Sequence, residues 1–422
     1  MAIMTAPSPS SADVLIIGAG MAGATLALAL KSGGLEPVLI DRAPLSDQWT
    51  ETFDGRASAI AFSAFRQWRT LGLGAALEPH AQRIEQIMVT DGRAPGAAAG
   101  APSPFALRFD SAEIAERVHG EPLGYLLENR RIRRALAQAI EASGVRVFAP
   151  ATLRELAFEG GGVTATLTDG AMLTAPLAVA ADGRGSALRR QAGIGVVGWT
   201  YGQSGVVATV GLEHPHQGVA QEHFLPSGPF AILPLIDNRA SLVWTETNAA
   251  AQALMAASPP AFQAYLERRF GDYVGRVTPL PGRFLYPLAL QLAERMTAPR
   301  LALIGDAAHV VHPIAGQGLN LGLKDIAALA EVLADARRLG EDLGSAIVLD
   351  RFARWRRFDN VMLAAATDGF TRLFSSDNPL LRLARGAGLG AVNALGPARR
   401  FFMQEAGGAT GDLPRLLRGE TL

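Results

Sequence analysis

The stretch that most restricts how this chain can fold lies near its start: "DVLIIGAGMAGATLALALKSGGLEPVLIDR", residues 13–42. Val14 to Ile17 read as a buried parallel strand and Ala24 to Lys31 as a helix, with Gly18, Gly20 and Gly23 at the junction. Gly18 allows a tight turn, Gly20 lets the backbone approach a pyrophosphate, and Gly23 lets the helix pack closely on the strand. The phosphates then meet a helix N-terminus, whose free amides and dipole favour negative charge. A second strand, Pro37 to Ile40, ends on Asp41. An acid there accepts hydrogen bonds from both hydroxyls of a ribose and repels a 2'-phosphate. Strand, glycines, helix, strand and acid in this order specify a nucleotide-binding α/β unit. They leave NAD and FAD open, because both carry the ADP half.

A distant stretch makes that choice: "LALIGDAAHVVHPIAGQGLNLGLKD", residues 301–325. Leu301 to Ile304 read as another short buried strand, Asp306 lies just past its carboxyl end, and Gln317 to Leu333 have helical periodicity. Ligands of an open parallel sheet sit outside the carboxyl ends of its strands, so Asp306 faces the nucleotide crevice. A carboxylate there accepts hydrogen bonds from a polyol chain such as ribitol. Gly316 and Gly318 let backbone amides crowd against a flat ring, and the following helix aims its positive end at that ring. A third stretch, "AVAADGRGSALRRQAGI", repeats the logic, with a strand over Leu177 to Ala180 and then D-G-x-x-S-x-x-R through Asp182, Gly183, Ser186 and Arg189. Arg189 reads equally as a site residue and as the partner of Asp182 in a local ion pair.

Composition removes several other chemistries. With 39 basic against 39 acidic residues, no global field attracts a nucleic acid. The absence of cysteine excludes disulfides, thiolate nucleophiles, iron-sulfur ligation and cysteine zinc sites. His214, His216 and His223 form the one histidine group, but Pro215 breaks any helical face, and strand-end histidines are expected there rather than a metal site. The apolar run at the start follows no basic residue and no cleavage site follows it, so a cytoplasmic location is expected.

The chain resembles the flavin-dependent aromatic hydroxylases of the p-hydroxybenzoate hydroxylase type, and within them the ubiquinone-biosynthesis hydroxylases that oxidise polyprenylated phenols. The resemblance rests on "GAGMAG", "FDGRASAIAFSAFRQWRTLGL", "LGYLLENRRIRRAL", "ADGRGSALRR", "FLPSGPFAILPL", "GDAAHVVHPIAGQGLNLGLKD" and the ending "GDLPRLLRG". It implies FAD as cofactor, NAD(P)H as co-substrate without a nicotinamide fingerprint of its own, and oxygen transfer through a flavin C4a-hydroperoxide. It implies that Arg56 lies on the FAD pyrophosphate, a task suited to a forked guanidinium. Asn129 matches a polar residue touching the cofactor, a position equally suited to capping a helix from Arg131 to Ile140. The implied cofactor set is Gly18, Gly20, Gly23, Asp41, Arg42, Arg56, Asn129, Asp182, Asp306, Pro313, Gly316, Gly318, Leu319 and Asn320. Pro313, Gly316, Gln317, Gly318 and Asn320 form the loop beside the isoalloxazine ring. His309 is implied as a supporting residue under the cofactor, while His312 faces either substrate or solvent.

The fold implied is an α/β, Rossmann-like FAD-binding domain with a parallel sheet, interleaved with a mainly antiparallel β substrate domain, followed by C-terminal helices. The expected boundaries are 1–75, 103–190 and 284–345 for the first, 76–102 and 191–283 for the second, and 346–422 for the helices. The pocket residues of the substrate sheet are not identified by any spacing rule. Expected partners are a hydrophobic phenol, proteins of the ubiquinone pathway, a second copy of the chain in a homodimer, and the inner face of a membrane. The last expectation comes from Leu380, Leu381, Leu389, Val392, Leu395, Phe401 and Phe402 beside Arg382, Arg385, Arg399 and Arg400, which read equally as a helix packed on the core. Three other functions stay open: hydroxylation of a small soluble phenol, a flavoprotein reductase or oxidase without oxygen insertion, and a non-catalytic FAD scaffold.

Overall fold

The computed structural model describes residues 10–49, 53–91, 106–159, 161–225, 227–270, 274–312, 316–374, 385, 388 and 390–422. Val14–Ile17 lies inside a six-stranded sheet, between Leu177–Ala180 and Pro37–Ile40. Leu301–Leu303 and Arg146–Phe148 extend it in parallel on the two sides, and the short Thr297–Ala298 closes one edge in antiparallel. Every residue of the three central strands is buried, which is why they read as unbroken apolar runs rather than alternating ones.

The two faces of this sheet are covered differently. Val14 and Ile16 pack among residues of the helices Met21–Ser32, Asn129–Ser143 and Gln317–Arg338. Leu15 and Ile17 pack on Leu156, Val163, Ala165 and Leu173. Those residues belong to a four-stranded sheet of Ser10–Ser11, Met172–Ala175, Gly162–Leu167 and Leu153–Glu159, a cover that sequence reasoning did not assign.

A second, eight-stranded sheet is antiparallel except where Val219–Leu225 pairs with Gln86–Asp91. Val196–Leu212 and Val277–Ala293 form its longest pair, and the helices Asn248–Ala256 and Pro259–Phe270 cover one face. The strand Val277–Ala293 runs unbroken through the expected boundary at 283/284. Leu107–Asp110 and His309–Val310 also join this sheet, from segments assigned to the other domain. Long strands bridge the two halves, so a domain limit drawn between motifs cuts continuous ladders. A three-stranded sheet, Ala57–Ala61, Gly124–Glu128 and Gln82–Ile84, lies between the halves.

The end of the chain is part of the nucleotide-binding half rather than an appendage. Phe352, Met403, Leu416 and Leu417 are fully buried in the same core as Leu26 and Leu333. Burying each such side chain stabilises by about 1.5–3 kcal/mol, enough to hold the short helix Arg415–Arg418 in place. No helix among the described residues is long and apolar enough to cross a membrane.

Candidate functional site

The turn after Val14–Ile17 requires its glycines for three different reasons. Gly18 has φ +107°, and a Cβ there would lie 2.3 Å from the Ala181 carbonyl oxygen. A Cβ on Gly23 would lie 1.8 Å from the Gly18 carbonyl oxygen, so the helix and the turn touch backbone to backbone. Gly20 has nothing within 4 Å of where a side chain would start, and it begins the helix Met21–Ser32 without any side-chain cap. The first-turn amides of that helix thus have no side-chain cap to satisfy them, which suits an anion.

Asp41 buttresses this turn. Its Oδ2 accepts from the Ala19 amide at 2.6 Å and its Oδ1 from the Ala43 amide at 2.8 Å. Each oxygen keeps a lone pair, so the acid can position the turn and still meet a ribose. Arg42 is exposed beside it.

A recess beside Gly20 is lined by Ala19, Met21, Leu45, Leu136 and Arg133. Sequence reasoning missed Arg133. It is one of four arginines in "NRRIRR", and only its place on the helix Asn129–Ser143 turns it inward. Both of its terminal nitrogens donate to Asp54 at 3.0 Å, and Arg56 donates to the same carboxylate at 2.7 Å. Burial opposes the charge of Asp54, but the Arg56 and Arg133 guanidinium groups hold its carboxyl below the usual range. Arg56 is not enclosed by the apolar run that follows it. Its side chain is about half exposed and lies 5.8 Å over the Tyr286 ring.

Asn129 is buried, and its side chain accepts from the Ser58 hydroxyl at 2.7 Å. It does not cap the helix, because Glu128 occupies the cap position and makes no side-chain cap bond.

The two acidic loops meet at the carboxyl ends of Leu177–Ala180 and Leu301–Leu303. Asp182 Oδ2 accepts from the Ala187 amide at 2.8 Å, while its buried Oδ1 has no partner among the described residues. Arg189 is not the ion-pair partner of Asp182. Its guanidinium is buried and donates to the Ala307 carbonyl at 2.8 Å and to the Arg184 carbonyl at 3.2 Å, so it ties one loop to the other.

Asp306 sits at the crest of the turn Gly305–Ala307, exposed at its surface, and nothing among the described residues donates to it. Neighbouring protein nonetheless desolvates its carboxyl. That burial pushes its carboxyl above the usual range, against the pull of His309, Arg184 and Arg56. An acid held ready with no donor of its own fits a ligand that brings hydroxyl groups.

Behind Asp306 the turn is anchored by a buried set. His309 Nε2 meets Asp325 Oδ2 at 2.5 Å, the Gly305 amide donates to the same oxygen at 3.3 Å, and Arg356 Nε donates to Oδ1 at 3.0 Å. Burial works against the Asp325 charge, but His309 and Arg356 hold its carboxyl below the usual range. A buried charge costs several kcal/mol unless it is matched in this way. His309 is therefore a support, as the resemblance implies.

The helix Gln317–Arg338 begins at Gly316, which has φ +64° and stands so close to Ala59 that a Cβ would lie 2.9 Å from that side chain. A Cβ on Gly318 would meet Val311 Cγ2 at 4.0 Å, an ordinary contact, and Leu319 packs against the core of this half. Asn320 has a structural task of its own. Its Oδ1 accepts from the Ala61 amide at 2.9 Å, and its Nδ2 donates to the Ala59 and Gly316 carbonyls at 2.8 and 3.1 Å. Both Nδ2–H groups are used and Oδ1 is engaged, so the Asn320 side chain fastens the loop to the strand Ala57–Ala61. Pro313 lies outside the described residues, as do Leu380, Leu381, Arg382 and Leu389. His312 is fully buried against Tyr201, and neither ring nitrogen has a partner among the described residues.

The three histidines of the other half do not converge. His216 is held by the Gly218 amide and the Leu235 carbonyl, and His223 by Thr90 and Gln221.

Residues 11–350 match the family model described as "FAD binding domain". The chain is 45% identical to the ubiquinone hydroxylase UbiL of Rhodospirillum rubrum, over 99% of this chain and 95% of that protein. It is 35% identical to the 3-demethoxyubiquinol 3-hydroxylase of Escherichia coli, over 93% and 98%. It is 32% identical to the mitochondrial ubiquinone biosynthesis monooxygenase COQ6 of Rattus norvegicus, over 93% and 90%. Two solved structures share the fold. One is p-nitrophenol 4-monooxygenase PnpA of Pseudomonas putida, with TM-score 0.76 and 19% identity over 94% of this chain and 98% of that one. The other is HpxO of Klebsiella pneumoniae in complex with FAD, with TM-score 0.72 and 19% identity over 94% and 99%.

Proposed function

Since the chain belongs to the FAD-binding domain family, and within it to the ubiquinone-biosynthesis hydroxylases, we propose that it hydroxylates the aromatic ring of a polyprenylated phenol in ubiquinone biosynthesis. It is an FAD-dependent monooxygenase that uses NAD(P)H and oxygen. The observation that carries this reading is the meeting, at one end of one parallel sheet, of an uncapped helix start at Gly20 with an Asp182 oxygen and an Asp306 carboxyl that have no hydrogen-bond partner among the described residues.

Those residues fit FAD. The amides after Gly20 would hold the pyrophosphate, Asp41 the ribose, Asp306 the ribitol, and the first turn after Gly316 the flavin ring. Bound there, FAD supplies the redox chemistry that activates oxygen. The rest of the chain positions and shields. The Arg189 and Asn320 bonds keep the loops fixed, and the eight-stranded sheet, joined to the acidic loop through His309–Val310, would hold an aromatic ring in reach and keep water out.

The test is incorporation of labelled oxygen into 2-geranylphenol and into phenol by the FAD-loaded protein with NAD(P)H. Labelled product from the geranylated phenol in preference to phenol is expected. NAD(P)H oxidation without labelled product from either would overturn the reading.

Peripheral contact with the inner face of a membrane is part of the proposal. It is supported by exposed Phe358, Val361 and Met362, at i, i+3 and i+4 on the helix Ala346–Phe374, one turn from Arg354, which is itself paired with Asp350. Leu395, Phe401 and Phe402 are exposed as well, whereas Arg399 is tied to Glu113. Flotation with vesicles, with and without anionic lipid, checks this, and protein that never floats would count against it. Sedimentation equilibrium checks the proposed homodimer.

A further inference from the structure

The eight-stranded sheet turns one face to the helices Asn248–Ala256 and Pro259–Phe270 and the other to the nucleotide-binding half, and side chains alternate between the faces. On the strand Val219–Leu225 the even positions take the second face. Ala220 packs there with Leu126, Ala57 and Ala59, and Ala59 is the residue that crowds Gly316 at the start of the flavin-loop helix. Two residues on, Glu222 shares that face. Its register partners are Ala231 on one neighbouring strand and Val89 on the other, and Val89 packs on the core of the nucleotide-binding half.

Glu222 thus stands in an apolar wall. Its side chain is part-buried among these apolar neighbours and keeps accessible surface, so a ligand can reach it. Nothing among the described residues pairs with its carboxyl. Burial alone pushes that carboxyl up to about 8. The strands Gly228–Leu235 and Ala57–Ala61 carry no ionisable residue, and Gln86–Asp91 carries only Asp91. His223 points to the opposite face, and Glu128 of the adjoining three-stranded sheet is already held by Arg130 and Arg239. An unpaired acid desolvated by apolar neighbours weakens a fold, and a leucine would fill this wall without that cost. Its presence fits a ligand with one hydroxyl and a large apolar body.

From this placement we infer that Glu222 is a catalytic residue of the substrate pocket, whose carboxylate accepts the phenolic hydroxyl and takes its proton as the ring is hydroxylated. The inference rests on the monooxygenase reading above. In this step the phenolic O–H bond breaks, its electron pair stays on the phenolic oxygen and enriches the ring, and the proton forms a new O–H bond on Glu222. A base that titrates close to neutral pH combines a usable ionised fraction with a real affinity for the proton.

Glu222→Gln keeps the shape and removes the base. The FAD-loaded variant and wild type are compared with 2-geranylphenol, oxygen and NAD(P)H between about pH 6 and about pH 9, following both hydroxylated product and NAD(P)H consumed. Wild-type product formation is expected to rise through about pH 8. The Gln variant is expected to retain FAD and to oxidise NAD(P)H, to form product about 100-fold more slowly, and to lose that rise. Glu222→Asp is expected to restore part of both. A Gln variant that forms product at the wild-type rate, or that is slower but keeps the rise, would overturn the base and leave the monooxygenase reading standing. A yellow wild type that oxidises NAD(P)H and hydroxylates neither 2-geranylphenol nor phenol would overturn both.

Discussion

Arg189 reaches out of the D-G loop and donates to the carbonyl of Ala307, 118 residues later, at 2.8 Å. Two loops that each present an acid, Asp182 and Asp306, are joined by this one bond from a buried guanidinium. Removing it with Arg189→Met leaves the Ala307 and Arg184 carbonyls without that donor, at a cost of about 1–3 kcal/mol. Urea unfolding of the apoprotein is expected to show this loss, with weaker FAD binding alongside. Unchanged stability would mean that the loops do not depend on each other.

Asp306 is expected to behave in the opposite way. It has no donor among the described residues, and burial disfavours its charge, so Asp306→Ala removes no fold contact. Apoprotein stability should stay level while FAD is lost on desalting, as read from the visible spectrum. Tightly bound flavin in this variant would show that the ribitol is held elsewhere. Arg56→Ala, at a half-exposed side chain, is likewise expected to lower FAD retention and to change stability less than Arg189→Met does.

Asn320→Ala separates support from contact. The variant strands the Ala61 amide and the Ala59 and Gly316 carbonyls in a buried place, for a loss of roughly 2–3 kcal/mol in the apoprotein. A residue that only touched the cofactor would leave apoprotein stability as it was, and thermal unfolding without FAD distinguishes the two.

His312 gives the stability a pH dependence. Burial pushes its ring down to about 4 from an ordinary 6.5, against the pull of Asp368. Between those values the unfolded chain takes up a proton that the folded one refuses, so stability falls as the pH drops from 6.5 toward about 4. The slope is at most about 1.4 kcal/mol per pH unit from this residue. His312→Leu is expected to remove that share of the slope, measured as the wild-type-minus-variant difference in urea midpoints between the two pH limits. A difference that does not vary with pH would mean that the ring is free to charge in the folded protein.

The amino-acid sequence determined the nucleotide-binding turn at Gly18, Gly20 and Gly23, the acids Asp41 and Asp306 at strand ends, and the pairing of two acidic loops. Those are local matters: a positive φ, an apolar run of strand length, and an acid at a fixed step from it are legible within a dozen residues. Tertiary structure decided which arginine of "NRRIRR" faces the recess and that Arg189 serves Ala307 rather than Asp182. It also decided that the Asn320 side chain is spent on Ala59 and Ala61, and that Glu222, on the inner face of the second sheet, has no partner among the described residues. Each of these depends on a partner, or on the absence of one, across elements far apart in the chain. Only packing brings such groups within the roughly 3 Å over which a hydrogen bond acts.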